Sequence, residues 1–201
     1  MMQIAFGLAG HALLIAAAAA AIARRRRWGR WARMLPIALG LASLVPLAGP
    51  SLAGHLFGLV GGLSVSTQAL LALAIASFLS GRERVMESDR RTLLASVATA
   101  AFVLYPLSLG LGGFDPYAAG YGSPYLLGLL ALCALAAWFA GRYFTVAVIT
   151  AALAAHLAGL MESDNLWDYL IDAPLAAYAI GGWLWVAAQR VRAARAGEGL
   201  R

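Results

Sequence analysis

The chain has 201 residues, of which 62% are hydrophobic and only 12% are charged. A soluble domain usually carries about 45–50% apolar and about 25% charged residues. This composition excludes an ordinary soluble globular protein and an intrinsically disordered one. It predicts an all-α integral membrane protein with one transmembrane helical domain over residues 1–190 and a short Arg-rich cytoplasmic tail over 191–201.

The 15 basic residues are all arginines, and the formal net charge is +6. In a chain this apolar, arginines that flank membrane spans set orientation, so we predict no nucleic-acid partner. The cluster Arg24–Arg27 follows the first apolar stretch instead of preceding it. That order is not typical of a secretory signal peptide, and it predicts a first span with its N-terminus outside. The absence of lysine beside abundant alanine and glycine indicates a GC-rich bacterial source.

Apolar segments recur along the chain at lengths near the roughly 20 residues that a membrane helix needs. They are 4–23, 34–49, 55–80, 92–111, 124–140, 143–161 and 173–189. Only Gly141-Arg142 separates the fifth from the sixth. A single helix over 124–161 would be roughly 57 Å long, nearly twice the hydrocarbon core of about 30 Å. A tight turn at Gly141-Arg142 is therefore predicted.

The arginines fix the orientation of these segments. If Arg24–Arg33 is cytoplasmic and the spans alternate, every other arginine also lies inside, at 82–91, 142 and 190–201. Agreement with the positive-inside rule predicts about seven transmembrane helices, with the N-terminus outside and the C-terminus cytoplasmic. We therefore expect a multi-pass protein of the bacterial inner (plasma) membrane. Its cytoplasmic face should attract anionic lipid headgroups.

The third segment carries Gly54, Gly58 and Gly62 at four-residue spacing, on one stripe of a single predicted helix. Small residues at that spacing favour close helix packing in membranes. Gln68 follows, and we expect it near mid-membrane. Because an amide is costly in hydrocarbon, it should face the bundle and find a hydrogen-bond partner. The alternative is a polar pathway along the Ser/Thr/Gln face of this segment.

The predicted external segments carry only acidic charge. Their five carboxylates belong to Asp115, Glu162, Asp164, Asp168 and Asp172. With no external arginine to neutralise them, these groups would concentrate cations or small solutes at an acidic, aromatic outer face. The alternative is a solvated acidic face without a binding role.

The spacing of Asp164, Asp168 and Asp172 predicts a short interfacial helix, with Ser163 as its cap and aromatic residues in the interface. Asp172 could equally cap the seventh span, with Pro174 tolerated in its first turn.

All three histidines fall toward the outer half of the predicted bundle. His11 and His156 lie about 10 Å and about 8 Å from the outer ends of their segments, and His55 opens the third segment. Two histidines at similar depth could hold a haem iron, or bind a transition metal together with a carboxylate. They could also carry protons. The alternative is hydrogen bonding to neighbouring helices or headgroups.

Ser51 and His55 stand four residues apart. In these two residues the chain distantly resembles the Ser/His element of the seven-span zinc hydrolases of the alkaline ceramidase class. The paired-histidine helix and the intramembrane aspartate that this class implies are absent from the sequence. Membrane amide hydrolysis is therefore the enzyme alternative, and the sequence favours a protein without enzymatic activity.

Three hypotheses of function follow. The leading one is a transport or membrane-complex protein that admits cations or small solutes at its outer face, with His11, His55, Gln68 and His156 lining the interior. The second is a metal- or haem-binding protein that uses His11 and His156. The third is a structural subunit that packs against a membrane-protein partner or a second copy of itself.

Overall fold

The computed structural model describes residues 1–26, 29–47 and 49–198, except for the side chains of 30, 31 and 194–198. Within these ranges all regular secondary structure is helical, which confirms the all-α prediction. The α-helices are α1 (Met2–Arg25), α2 (Leu35–Ala42), α3 (Leu52–Val60), α4 (Val65–Ser80), α5 (Glu87–Ser108), α6 (Pro124–Phe139), α7 (Tyr143–Leu157), α8 (Leu166–Leu170) and α9 (Ala173–Glu198). Short 3-10 helices occupy Arg30–Met34 and Pro116–Gly120.

Two of these helices, α1 and α5, are long and apolar enough to cross a membrane. Only 33% and 28% of their most apolar stretches are buried inside the protein, so most of that apolar surface faces outward. Four shorter apolar helices cover Ala32–Ala42, Val65–Ser80, Pro124–Phe139 and Tyr143–Leu157. Seven full-length spans are therefore not seen in the described residues, and the count of seven stays a prediction.

The third predicted span is not one continuous helix, so that prediction is wrong. The chain breaks between Val60 and Val65, where Gly61 adopts a φ of +81°, which a glycine reaches without steric cost. The Ser64 hydroxyl then caps α4 by accepting a hydrogen bond from the Thr67 amide at 3.2 Å. The third segment therefore contains a short helix, α3, followed by the longer α4.

The turn predicted at Gly141-Arg142 is confirmed. α6 ends at Phe139 and α7 begins at Tyr143. Gly141 has a φ of +69°, the left-handed conformation that reverses a chain after a helix. The two helices pack against each other as an antiparallel pair.

The second predicted span contains only the eight-residue helix α2. α2 packs closely on α1, since a Cβ at Gly40 would lie 2.9 Å from the Ala12 carbonyl oxygen. The Ala53 amide donates to the Ser43 carbonyl at 3.0 Å, which places the start of α3 at the end of α2. α2 and α3 thus follow each other along the side of α1.

The helices arrange the charged side chains at two ends of the bundle. At the arginine end, Arg24 lies 3.9 Å from Glu83, and Arg142 donates to the Ser88 hydroxyl at 2.6 Å. The carboxylate end contains Asp168 and the other acidic residues of the segments around 115 and 162–172. Among the arginines of the topology argument, Arg27 and Arg201 lie outside the described residues, as do the side chains of Arg30 and Arg195.

The buried core joins α4, α5, α6, α7, α8 and α9. α5 packs against both α7 and α9, whereas α1 packs against α2, α3 and α4. The last helix is different, because residues 181–193 are exposed throughout. Its helical course to Glu198 also includes most of the predicted polar tail.

Candidate functional site

Asp172, predicted at an acidic outer face, forms a bridge between the starts of two helices. Its Oδ2 accepts hydrogen bonds from the Ser64 amide at 2.7 Å and from the Thr67 hydroxyl at 2.6 Å. Its Oδ1 accepts from the Leu175 amide at 2.7 Å, which caps α9. We call this set the Asp172 bridge. The alternative prediction, that Asp172 caps the seventh segment, is confirmed.

Asp168 anchors a neighbouring loop. Its carboxylate accepts hydrogen bonds from the Tyr117 hydroxyl, at 2.9 and 3.0 Å to the two oxygens, and from the Ser163 hydroxyl. Burial, and then the hydrogen bond to Asp168, raise the pKa of the Tyr117 phenol above its ordinary value. The tyrosine is therefore held as a neutral donor to the carboxylate.

Asn165 and Trp167 fix the same loop from the other side. The Asn165 side-chain amide donates to the Tyr117 carbonyl at 2.9 Å, and the Trp167 indole donates to the Pro116 carbonyl at 3.0 Å. Asn165 is completely buried, and a Cβ on Gly120 would overlap its side-chain oxygen. This close approach explains why glycine occupies position 120.

The interfacial helix predicted from the aspartate spacing is shorter than expected. α8 covers only Leu166–Leu170, and Asn165, not Ser163, provides its cap by accepting from the Trp167 amide at 2.9 Å. Asp164 precedes this helix and Asp172 follows it, so the three aspartates do not share one helical face. Tyr169, expected in the aromatic belt, is instead almost completely buried in the core.

The remaining outer carboxylates have different surroundings. Asp115 caps the adjoining 3-10 helix, since its Oδ1 accepts from the Tyr117 amide at 2.9 Å. Glu162 and Asp164 are exposed. Three of the five predicted cation-binding carboxylates thus stabilise loops or helix ends, and cation binding at this face stays a prediction.

A second carboxylate bridge lies at the arginine end, and the sequence analysis missed it. Asp89 on α5 is only 4% exposed. Its two oxygens accept from the amides of Phe144 and Thr145, at 2.8 and 3.1 Å, and from the Thr145 hydroxyl at 2.7 Å. This Asp89 bridge caps the start of α7. The signal available in the sequence was Thr145, three residues after the predicted turn.

The histidines occupy separate surroundings. His11 is completely buried, its Nδ1 lies 2.9 Å from the Gly7 carbonyl oxygen, and its ring packs edge-on against Phe57. His156 packs edge-on against Tyr169 instead. The Nε2 atom of His11 and the Nδ1 atom of His156 are buried without a hydrogen-bond partner in the part of the chain that the structure describes. Haem or metal binding by the pair stays a prediction.

Among the described residues there is no group of three His, Cys, Asp or Glu side chains placed to hold a metal ion. His55 is exposed, and its Nδ1 lies 3.0 Å from the Ser51 carbonyl oxygen. The Ser51 hydroxyl caps α3 by accepting from the Gly54 amide at 3.1 Å. The Ser/His pair of the hydrolase resemblance is thus accounted for by the geometry of a helix start.

Gln68 is buried with a hydrogen-bond partner, as predicted. Its side-chain amide donates to the Leu63 carbonyl at 2.9 Å. It lies in the first turn of α4, however, and its partner belongs to the break before that helix. Its side chain also packs against Gly10 of α1, where a Cβ would lie 3.1 Å from the amide carbon.

The three stripe glycines do not form one packing surface. Gly54 and Gly58 lie on α3, whereas Gly62 lies in the break. A Cβ at Gly58 would meet no described atom within 4 Å. The close helix contacts occur at Gly7 and Gly40 instead, where a Cβ would meet Phe57 and Ala12. The four-residue spacing failed as a signal because the helix that would carry it is broken.

A groove of about 580 Å³ lies between the α1/α4 pair and the α5/α9 pair. We call it the central groove. Its side walls are apolar and include Leu14, Ala17, Ala21, Leu70, Leu71, Ala74, Leu94 and Leu175. One end reaches Thr67 and Pro174, beside the Asp172 bridge, and the other reaches three arginines and two glutamates: Arg24, Arg25, Arg90, Glu83 and Glu87. An apolar cavity of this size with a few charged groups at one end is typical of a ligand site.

No protein family, curated protein or solved structure matches this chain.

Proposed function

We propose that this chain is a seven-span protein of the bacterial inner membrane that holds an amphiphilic molecule in the central groove. The spans would be α1, α2 continued by α3, α4, α5, α6, α7 and α9, with the N-terminus outside and the arginine end in the cytoplasm. The function belongs to the transport or membrane-complex class and involves no catalysis. The observation that carries the proposal is the central groove, with apolar walls and arginines at one end.

The apolar exterior supports the membrane part of the proposal. Large apolar side chains are exposed on α6, including Leu129 and Leu132, and on α9, including Trp183 and Trp185. Contiguous apolar surface of this extent is rare on a soluble monomer. In a bilayer, by contrast, lipid tails cover it at no cost.

The placement of arginines supports the orientation. Arg24 lies in the last turn of α1, Arg90 lies in the first turn of α5, and Arg142 directly precedes α7. All three lie at the arginine end. Positive charge beside membrane spans is typical of cytoplasmic segments.

The relation between the two helix pairs supports the assignment of the groove. α1 packs on α4, and α5 packs on α9. The hydrogen bonds of the Asp172 bridge connect α4 with α9 at the carboxylate end. The Asp172 bridge therefore joins two of the lining helices on the outer side, and an amphiphile would place its polar head at the arginines of the cytoplasmic side.

Reporter fusions test the orientation. Green fluorescent protein fused after Arg201 should fluoresce, since it folds in the cytoplasm, and alkaline phosphatase inserted after Gly113 should be active outside. An active phosphatase after Arg201 would contradict the proposed topology.

Native mass spectrometry of detergent-purified protein tests the groove. Ala74→Trp fills the groove from α4 and should reduce the amount of retained long-chain lipid. Ala131→Trp places the same side chain on the exposed surface of α6 and should leave retention unchanged. Equal retention in the two variants would contradict the proposed site.

A structural-subunit function is favoured by one further observation. Residues 181–193 of α9 are exposed on all sides, including Trp183 and Trp185. A membrane-protein partner or a second copy of the chain could pack on this half-helix. Cross-linking in intact membranes from cysteines placed at 183 or 185, in a Cys133→Ser background, tests this. Recovery of the monomer alone would contradict a stable partner at that surface.

A further inference from the structure

We propose that the occupant of the central groove is an anionic glycerophospholipid of the cytoplasmic leaflet. Its phosphate would bind at Arg24, Arg25 and Arg90, and an acyl chain would lie between the two helix pairs. This inference rests on the proposed function and names the chemistry of its ligand.

The length of the groove matches one lipid chain, and the groove follows α4 over most of its length. Along α4 the lining residues extend from Thr67 to Phe78, which corresponds to roughly 16 Å of helix. One leaflet contributes about half of the roughly 30 Å hydrocarbon core. A groove that extends about 16 Å from the arginine end and ends at the Asp172 bridge therefore has the length of one lipid chain.

The lining matches a chain along its sides and a headgroup at its mouth. Apolar residues from all four helices, such as Leu14, Leu71, Leu94 and Leu175, provide the walls. At the carboxylate end of the groove, the Thr67 hydroxyl already donates a hydrogen bond to Asp172. The hydrogen-bonding groups of the groove that remain free for a ligand therefore lie almost entirely at the arginine end.

The charges at the mouth favour an anion. Glu87 accepts hydrogen bonds from both Arg90, at 2.6 Å, and Arg91, at 2.9 Å. Arg24 approaches Glu83 only to 3.9 Å, and its side chain is 59% exposed. Arg25 forms no ion pair with any described residue. The arginines thus outnumber the glutamates at the mouth.

Arginine is well suited to this role. Its planar guanidinium offers paired N–H donors that match phosphate oxygens, whereas a zwitterionic lipid would bring an ammonium group toward the same arginines. Arg24 and Arg25 are consecutive residues in the last turn of α1, and they line the groove together with Arg90 of α5, which also donates twice to Glu87. A phosphate at this point would receive donors from both helix pairs.

The test compares retained phosphatidylglycerol and phosphatidylethanolamine of identical acyl chains by native mass spectrometry of the full chain. We expect the wild type to prefer phosphatidylglycerol. Arg24→Gln/Arg25→Gln should reduce that preference by about 30-fold, since each arginine near a headgroup contributes about fivefold. Four further arginines in the same segment should maintain the orientation.

The control is Arg82→Gln/Arg84→Gln, which removes the same charge at the same end, outside the lining of the central groove. Its preference should equal that of the wild type. An equal loss in both double variants would overturn the inference, because it would indicate attraction to overall surface charge.

Two other outcomes separate this inference from the proposed function. If both lipids are retained equally but both are lost in Ala74→Trp, the groove binds lipid without headgroup selection, and only the present inference fails. If Ala74→Trp leaves phosphatidylglycerol retention unchanged, the groove is not the site, and both proposals fail. Size-exclusion profiles and helical content must match the wild type for every variant compared.

Discussion

The two carboxylate bridges use the same chemistry in different surroundings. Asp89 and Asp172 each accept three hydrogen bonds, including backbone N–H groups at the start of a helix on another segment. A carboxylate is stabilised there because the amides are unpaired within the helix and the helix dipole is positive at that end. The local geometry alone therefore does not distinguish the two sites.

The two bridges differ in how the helices that they join pack beyond the bridge. α5 and α7, joined by Asp89, pack against each other, and Val97 and Val148 belong to the common core. α4 and α9, joined by Asp172, border the central groove beyond the bridge. The comparison indicates that Asp89 stabilises a packed interface, whereas Asp172 closes one end of a cavity.

The largest expected effect is on stability at the Asp89 bridge. Asp89→Asn replaces an acceptor with an amide that directs donors at N–H groups, in a site that is 4% exposed. We expect a loss of about 3 kcal/mol in the free energy of unfolding, since hydrogen bonds to a buried charge contribute about 1.5–3 kcal/mol each. Thermal unfolding in detergent measures this loss of stability.

The control for this variant is Glu83→Gln at the same end, whose side chain is 79% exposed. It should unfold like the wild type. Equal stability of Asp89→Asn and the wild type would show that the hydrogen bonds of the Asp89 bridge do not stabilise the contact between α5 and α7.

The Asp172 bridge should yield a smaller loss of stability and a larger change in access. We expect Asp172→Asn to cost about 2 kcal/mol, because this site is more exposed than that of Asp89. It should also open the outer end of the groove. A cysteine at position 71, in a Cys133→Ser background, should then react faster with a membrane-impermeant maleimide added from outside.

Asp89→Asn should leave that labelling rate unchanged, and so should Asp164→Asn, which neutralises an exposed aspartate at the carboxylate end. Equal labelling rates in Asp172→Asn, Asp89→Asn and Asp164→Asn would contradict the proposed difference between the two bridges.

A region without a carboxylate bridge sharpens the comparison. At the contact between α1 and α2, Gly40→Ala would place a methyl group 2.9 Å from the Ala12 carbonyl oxygen. We expect a loss of about 1 kcal/mol from overpacking. Gly58→Ala on α3 is the matched control and should be neutral or slightly stabilising, because its Cβ meets no described atom within 4 Å. Thermal unfolding of the two variants checks both values.

The smallest effect concerns Tyr117, which donates to Asp168. Because its pKa is raised above 10.0, the folded protein favours the neutral phenol, and this stabilisation is present below pH 10 and is lost as the pH rises above it. An absorbance titration should show tyrosine ionisation that is delayed relative to the unfolded chain. Tyr117→Phe should reduce the amplitude of this delayed step by one tyrosine, and an unchanged amplitude would show that Tyr117 does not contribute to it.

Helical class and the principal turns followed from the sequence because they depend on local chemistry. Gly141 and Asp172, which caps α9, lie at positions where residue type limits the backbone. The break at Gly61 was missed although the Gly61-Gly62 pair and Ser64 are typical of a helix end and a helix cap, because the whole segment has the length of one apolar span. Hydropathy cannot distinguish a continuous helix from two helices joined by glycines.

The candidate site was only partly predictable, for a different reason. Asp172 was found as an acidic residue near a helix start, but its partners Ser64 and Thr67 lie more than a hundred positions away. Asp89 was not predicted as a bridge, because its partners also belong to a distant segment. The groove depends on how the α1/α4 and α5/α9 pairs diverge, and no local sequence pattern predicts this divergence.

The central claim is that a lipid chain lies between the α1/α4 and α5/α9 pairs, closed off at one end by Asp172. Electron cryomicroscopy of the protein in nanodiscs containing phosphatidylglycerol with brominated chains tests it most directly. We predict chain density beside Leu71 and Leu94, with the phosphate next to Arg24 and Arg25. A structure in which α4 and α9 pack side by side and leave no room for a chain would contradict the account.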